Sequence, residues 1–414
     1  MDIRSADGKR TENLLHQLRR DGDSLWLFVA HGEKPYQKDA PRYQNIRITL
    51  QGQWCPEIYD TITGRIRPTG AICTGSQTVI ETTLHDLDSL LLHLQPGKAQ
   101  TVETPDSKVY TQLPVPALVD YTLDEPNVYL LDKAEFALDE NPWQPEQELL
   151  RADNVLRREL GYPPRGDAVA QPWTVQEAAP EHTARLRFRI SCACEVPCVK
   201  LALEDADLAQ ITCNGVAVTA RPDGWFTDKC IGTVAIGNLR AGENILEVTL
   251  PFGRRTNIEW CYLLGDFGVQ IMGQYRILIP RQPQLGFDSV VSQGLAHYGG
   301  NITYQIPFSS QGGAIRVTVP HYAGTAVKVL IDGTSGYIAY PPYQLDLGIL
   351  PAGKHTLQLQ LLGNRHNCFG AIHLADPIYR WLGPDSWRTS GSLWTESYRL
   401  KPLGILSAPI IEEA

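Results

Sequence analysis

The sequence predicts an all-β protein of tandem β-sandwiches, a small immunoglobulin-like sandwich followed by two galactose-binding-like jelly rolls, with one short helix. Three observations predict it. Short runs of alternating apolar and polar residues recur along the chain, as in residues 44–50 (QNIRITL) and 244–250 (NILEVTL), and period-two alternation marks half-buried strands. The chain carries 35 glycines and 29 prolines, a balance that suits a turn-rich β protein. Two blocks of the chain then share one grammar: strand, hairpin turn, strand, a turn containing Ala-Gly, strand. Asn214-Gly215 and Asp332-Gly333 are the hairpin turns, and residues 239–244 (LRAGEN) are echoed by 350–355 (LPAGKH).

Taken in order, residues 24–30 (SLWLFVA) read as a buried strand, and 44–50, 77–84 and 89–94 as its neighbours. They define a small antiparallel sandwich over 1–96. Residues 97–126, rich in Pro, Thr and Asp, read as a linker. A jelly-roll sandwich is expected over 127–282, beginning with 128–138 as a strand pair or one long strand. It contains the one convincing helix, 147–160, where Leu149, Leu150, Val155, Leu156 and Leu160 give a helical stripe and Gly161 with Pro163 stops it. Asp153, Arg157 and Arg158 fall off that stripe and are expected on a solvated or interface face. The second jelly roll is expected over 283–414, with 393–406 as its closing strand.

A length of 414 residues allows about two to four domains. With 37 basic against 46 acidic residues the net charge is −9, which argues against nucleic acid and anionic membrane as partners. No run of about eighteen apolar residues occurs, so no spanning helix is expected. The polar N-terminus does not read as a signal peptide. Nine cysteines and no export signal are read as reduced thiols and a cytoplasmic location. Cys192, Cys194 and Cys198 lack zinc-site spacing. The strand period puts Cys192 and Cys194 beside Phe188 and Ile190, where a free thiol packs as a small hydrophobe.

Residues 361–387 (LLGNRHNCFGAIHLADPIYRWLGPDSW) concentrate planar donors and aromatic faces. Asn364, Arg365, His366, Asn367, His373, Trp381 and Trp387 are therefore candidates for carbohydrate contact or for an interface. Sugars present hydroxyls at their edges and C–H groups on their faces, which such side chains match. The alternative is a buried polar knot tying a long loop onto a sandwich. His297 and Tyr298 join the set because Gly299-Gly300 lets backbone approach a ligand; a plain bulge is the alternative. Among carboxylates, Glu259 and Asp266 are the catalytic candidates, since glycoside hydrolysis needs two carboxyl groups across one pocket. Asp266 in its Gly-flanked turn is otherwise expected to cap backbone amides, and Glu259 to hold a salt bridge. The spacing of His366 and His373 does not suggest a metal site. No cofactor is expected; a structural calcium ion on a jelly-roll loop is compatible with the fold and marked by no residue pattern.

Several phrases form a recognisable set: residues 20–28 (RDGDSLWLF), 54–64, 149–157 (LLRADNVLR), 171–173 (QPW), 225–229 (WFTDK), 262–268 (YLLGDFG), 294–300 (GLAHYGG) and 363–367 (GNRHN). Together they resemble the C-terminal region of large bacterial glycoside hydrolases of the α-L-rhamnosidase type, family 106 and its relatives. The resemblance implies accessory sandwiches attached to an upstream catalytic (β/α) barrel. No such barrel is visible here, because eightfold strand–helix alternation is missing. Three readings follow: a region that binds carbohydrate or braces a barrel, a self-contained hydrolase using a carboxylate pair, and a purely structural fragment. Whether the chain is itself an enzyme is left open between them.

Overall fold

A computed structural model describes residues 1–32, 43–98, 109–165, 179–376, 383, 386–387 and 389–414. Strands dominate, arranged as antiparallel sheets that face one another across three separate hydrophobic cores.

The N-terminal sandwich packs a four-stranded sheet against a five-stranded one. Ser24–His31 is central to the larger sheet, between Leu14–Asp21 and Ser89–Pro96. Its alternation turns Leu25, Leu27 and Val29 inward, onto Ile46, Ile48 and Ile80 of the facing sheet.

The second sandwich holds the largest core. Its five-stranded sheet orders Asn127–Leu131, Cys261–Gly265, Val196–Glu204, Asp228–Leu239 and Trp225–Phe226. The opposing sheet centres on His182–Cys192, paired along its whole length with Gly242–Phe252. Residues 128–138 are two strands divided between the two sheets, with Asp132 at the crossing. Phe188, Ile190 and Cys192 share the inward face, as the strand period requires. Burying a side chain the size of Phe188 stabilises by about 1.5–3 kcal/mol. Asn214 and Gly215 both adopt positive φ, 51° and 78°, the conformation that closes a two-residue hairpin with the sheet's own twist.

The helix α1 (Leu149–Glu159) starts where Glu148 accepts the Arg151 amide, a capping bond of 3.2 Å. Asp153 and Arg157, expected on a solvated face, are buried. Asp153 accepts Arg157 Nε at 2.9 Å, and Arg165 Nε stands 3.6 Å from the same carboxylate. The loop that follows Gly242–Phe252 covers this pair, with Arg157 donating to the carbonyl oxygens of Arg254 and Thr256. An i,i+4 ion pair off the apolar stripe can therefore be interior once another segment crosses it.

The third sandwich places a six-stranded sheet centred on Ile302–Ser310 and Gly353–Leu362 against a four-stranded one. The expected linker 97–126 differs from the structure. Thr111–Leu113 pairs with Ile410–Glu413, and Leu118–Leu123 pairs with Ile302–Ser310, so both are strands of this last sandwich. Polar composition masked them because they lie at or near sheet edges, where one face meets water. The closing strand expected at 393–406 is reduced to Gly404–Ile405, with Ile410–Glu413 completing the sheet. The described residues between 366 and 400 leave this sandwich and pack on the second one: Cys368 and Ile372 belong to its core, and Phe369, Trp387 and Tyr398 lie against it. No helix among the described residues is long and apolar enough to cross a membrane.

Candidate functional site

Most of the polar residues singled out in 364–373 are turned on the protein itself. Arg365 forms a two-pronged ion pair with Glu125, Nη2 to Oε2 at 2.8 Å. Asn367 is buried and zips onto Lys401, donating to its carbonyl at 2.8 Å and accepting its amide at 2.9 Å. His373 is buried with Nδ1 2.9 Å from the Thr395 carbonyl and Nε2 2.7 Å from Asp132 Oδ2. Both ring nitrogens thus face oxygen atoms of the protein. Asn364 is exposed and caps the amide of His366 at 3.1 Å. His366 is half-buried, and loss of water together with the charge of Lys401 lowers its pKa to about 4. His297 is fully buried behind the same segment, donating Nδ1 to the Asn367 carbonyl at 3.1 Å; burial lowers its pKa to about 4. Tyr298 is buried and donates to the Asn301 carbonyl at 2.8 Å. Gly299 and Gly300 do permit close approach, but to Arg365, Glu125 and Tyr298: a Cβ on Gly300 would lie 2.8 Å from Glu125. Trp381 lies outside the described residues. Asp266 is exposed and paired with Arg281 at 3.0 Å, and it does not share a cleft with Glu259.

A charge-assisted pair such as Arg365–Glu125 contributes about 1–2 kcal/mol. Arg365→Ala is expected to lower the melting temperature by an amount matching that loss. Unchanged stability in that variant would show that the pair with Glu125 does not hold the segment in place.

Glu259 and Trp387, in contrast, meet in one open cleft of about 520 Å³ at the end of the five-stranded sheet. Ala202 pairs with Tyr262 across the ladder. Glu204 and Trp260 lie two residues further out on the two strands' line, so they fall on the same face. Glu204 also pairs with Ile231, which brings Thr227 and Asp228 to the rim. Leu150 of α1 supplies the floor, and Phe369 and Trp387 arrive from the segment that crosses over from the third sandwich.

The aromatic wall is tightly built. Tyr262, Phe226 and Phe369 form a triangle of rings: Tyr262 lies 5.3 Å from Phe226 and 5.0 Å from Phe369, and those two stack at 5.9 Å. Trp260 is pinned by its indole N–H to Oε1 of buried Glu148 at 2.7 Å. Burial drives the Glu148 carboxyl up to about 7, against the opposing pull of that hydrogen bond.

The three carboxylates of the cleft stand in different environments. Glu204 is crowded by its neighbours even though it reaches solvent. That loss of water, reinforced by the carboxylates of Glu259, Asp205 and Asp228 and countered by Arg165, drives it up to about 7. Glu259 is held by an ion pair with buried Arg165, whose other arm donates to the Ile258 carbonyl at 2.9 Å. Asp228 is exposed and lowered by the Cys230 amide, which it accepts at 2.8 Å. Among the described residues no group of three or more His, Cys, Asp and Glu side chains is placed to hold a metal ion.

Sequence reasoning had found Glu259 and Trp387 separately and missed Glu204, Asp228, Tyr262 and Phe369. A residue-level signal existed for one of them: Glu204-Asp205 ends an apolar strand with adjacent acids, an arrangement that raises one carboxyl when both lie near a wall.

An all-β protein with an aromatic, carboxylate-lined cleft between a sandwich and a crossing segment is the class this fold and site define. No family model matches the sequence, and no curated protein matches it. Among solved structures it is similar to a rhamnosidase from Novosphingobium sp. PP1Y, at 18% identity over 61% of this chain with a TM-score of 0.22. It is also similar to a β-D-glucuronidase from Dictyoglomus thermophilum, at 9% identity over 57% of this chain with a TM-score of 0.18. A Ruminococcus gnavus β-glucuronidase in complex with uronic isofagomine gives 10% identity over 59% and a TM-score of 0.19. The chain spans 20%, 38% and 39% of those three chains. Likeness this loose carries no argument about function, which has to come from the site.

Proposed function

We propose that this chain is a carbohydrate-binding region of a glycoside-hydrolase-like protein, and that the cleft of Trp260, Trp387, Glu204 and Glu259 holds the sugar. The observation that carries this reading is the pairing of flat aromatic faces with carboxylate acceptors in one open cleft of about 520 Å³, a volume suited to a small glycan. The rings take the C–H face of a pyranose and the carboxylates its hydroxyls. In this reading an upstream catalytic barrel is the partner of the whole protein, and nine free thiols suit a reducing compartment such as the cytoplasm.

Glycan-array screening followed by calorimetry tests it. Trp387→Ala is expected to weaken binding at least about tenfold, the scale of one lost aromatic contact in a desolvated site, with the thermal melt as control. Binding that survives in Trp387→Ala and in Glu259→Gln would remove the cleft from consideration.

One observation favours a second reading, hydrolysis within this chain. Glu204 holds a proton near neutrality while Glu259 faces Arg165 in the same cleft, the division between acid and carboxylate that glycosidases use. Turnover of nitrophenyl glycosides, α-L-rhamnoside included, would be abolished by Glu204→Gln and by Glu259→Gln if this reading holds. No turnover on any of them leaves the binding reading in place.

A further inference from the structure

Among the described residues, those lining the cleft carry three carboxylates, Glu204, Asp228 and Glu259, and no lysine, arginine or histidine. The guanidinium of Arg165 is buried behind Glu259 and already shared with Asp153. Opposite the acids stand the indoles and rings of Trp260, Trp387, Tyr262 and Phe369. A neutral sugar needs donors as well as acceptors from its site, since each hydroxyl offers both. Among the described residues the charged groups of this cleft accept only, and the donors it offers, the Thr227 and Tyr262 hydroxyls and the Trp387 indole N–H, carry no charge. Aromatic faces beside carboxylates are instead the surroundings that favour an ammonium group, through the ring quadrupole and through direct charge.

We propose that the cleft selects a sugar bearing a protonated amine, a 2-amino-2-deoxy pyranose of the glucosamine kind, over neutral and uronic sugars. This deepens the carbohydrate-binding reading and rests on it. The sugar ring lies on the indole faces while its ammonium reaches the Glu204–Asp228 rim. A uronic acid would bring a fourth carboxylate into the cleft and be repelled.

The groups that face Glu204 are Glu259 and Arg165 from the strand edge and helix side, Asp205 from its own turn, and Asp228 with Cys230 from the adjoining strand. Tyr262 and Cys261 also sense its charge. An ammonium placed among them adds positive charge to a group in which Arg165 stands alone against four carboxylates, and favours the ionised form of Glu204. Binding near pH 7 is therefore expected to be linked to protonation, Glu204 giving up its proton while the sugar amine, which itself titrates near neutrality, is held protonated. A neutral sugar brings no such linkage.

Calorimetry on the full chain would compare a glucosamine tetramer, its N-acetylated counterpart, a glucuronate oligomer and putrescine, in two buffers of different ionisation enthalpy. The expected result is at least about tenfold preference for the glucosamine tetramer over the acetylated one. The proton change on binding should differ between the two tetramers, and Glu204→Gln and Asp228→Asn should each reduce the preference. Both side chains are exposed, so both variants should fold, as thermal melts would confirm. Equal affinity for the two tetramers would overturn amine selection and leave the carbohydrate-binding reading intact. Putrescine binding as tightly as the tetramer would overturn the sugar. No binding by any of the four would overturn both.

Discussion

Replacing Asp132 with asparagine is expected to cost the fold about 3–5 kcal/mol, the range for breaking a buried ion pair and leaving its partner behind. Asp132 is fully buried where the chain crosses between the two sheets of the second sandwich. One carboxylate oxygen takes Arg276, together with the Tyr398 hydroxyl at 2.9 Å; the other takes His373 at 2.7 Å. Every group facing it is a donor. The asparagine amide would have to turn its own N–H groups toward one of those donors, and Arg276, itself almost wholly buried, would lose its counter-charge. Burial alone would raise the Asp132 carboxyl, but Arg276, the bond and charge of His373, and Lys133 outweigh it and hold it far below the ordinary value of 3.8. The contribution of this depressed carboxyl is complete above that ordinary value and fades as pH falls toward the folded one. Denaturant midpoints at neutral pH would measure the loss. A variant within about 1 kcal/mol of the parent would mean that Arg276 and His373 find other acceptors. Because His373 and Tyr398 come from the crossing segment, the same variant should also loosen the wall that carries Trp387.

The elements were legible where local chemistry decides them. Alternation over 182–192 and the paired positive φ of Asn214 and Gly215 are fixed by neighbours in sequence. So is the start of α1, where a carboxylate two residues before Leu150 caps the turn. The site was not legible, because its members come from α1, three strand ends and the crossing segment, which only the tertiary fold brings together. The dense polar stretch at 364–373 misled for a related reason. Arg365, Asn367 and His373 have the same donor geometry whether they meet a sugar or Glu125, Lys401 and Asp132, and sequence does not reveal the partner. Asp153 and Arg157 failed in the opposite sense: the helical period placed them correctly off the apolar stripe, but the loop covering them is set by tertiary contacts.

Exchange of Glu148 for glutamine is expected to abolish a pH dependence of stability worth up to about 3 kcal/mol between pH 4.5 and 8, taking about 1.4 kcal/mol per pKa unit. The folded carboxyl is raised to about 7 from an ordinary 4.5, first by burial and then by the charge of Asp132. A carboxyl raised on folding gives its full stabilisation below its unfolded pKa and loses it as pH rises through the folded one. The parent should therefore weaken steadily from about pH 4.5 to 7, flattening above that. Glutamine cannot ionise, so the variant's profile over this window should be flatter by that amount. A constant offset of about 1 kcal/mol against the variant is expected at acid pH. The two oxygens of the carboxyl group face Trp260 Nε1 and the Arg151 amide separately, and glutamine has one oxygen for the two donors. The curves should then cross, with the variant the more stable at pH 8. Urea denaturation at half-unit pH steps would decide it, with Glu204→Gln measured alongside, since Glu204 titrates over the same range but at the surface, where solvent screens its effect. If the two profiles stay parallel, Glu148 is reached by water in the folded protein. The indole of Trp260 would then be held by a solvated carboxylate, and the cleft it walls would be softer than its geometry implies.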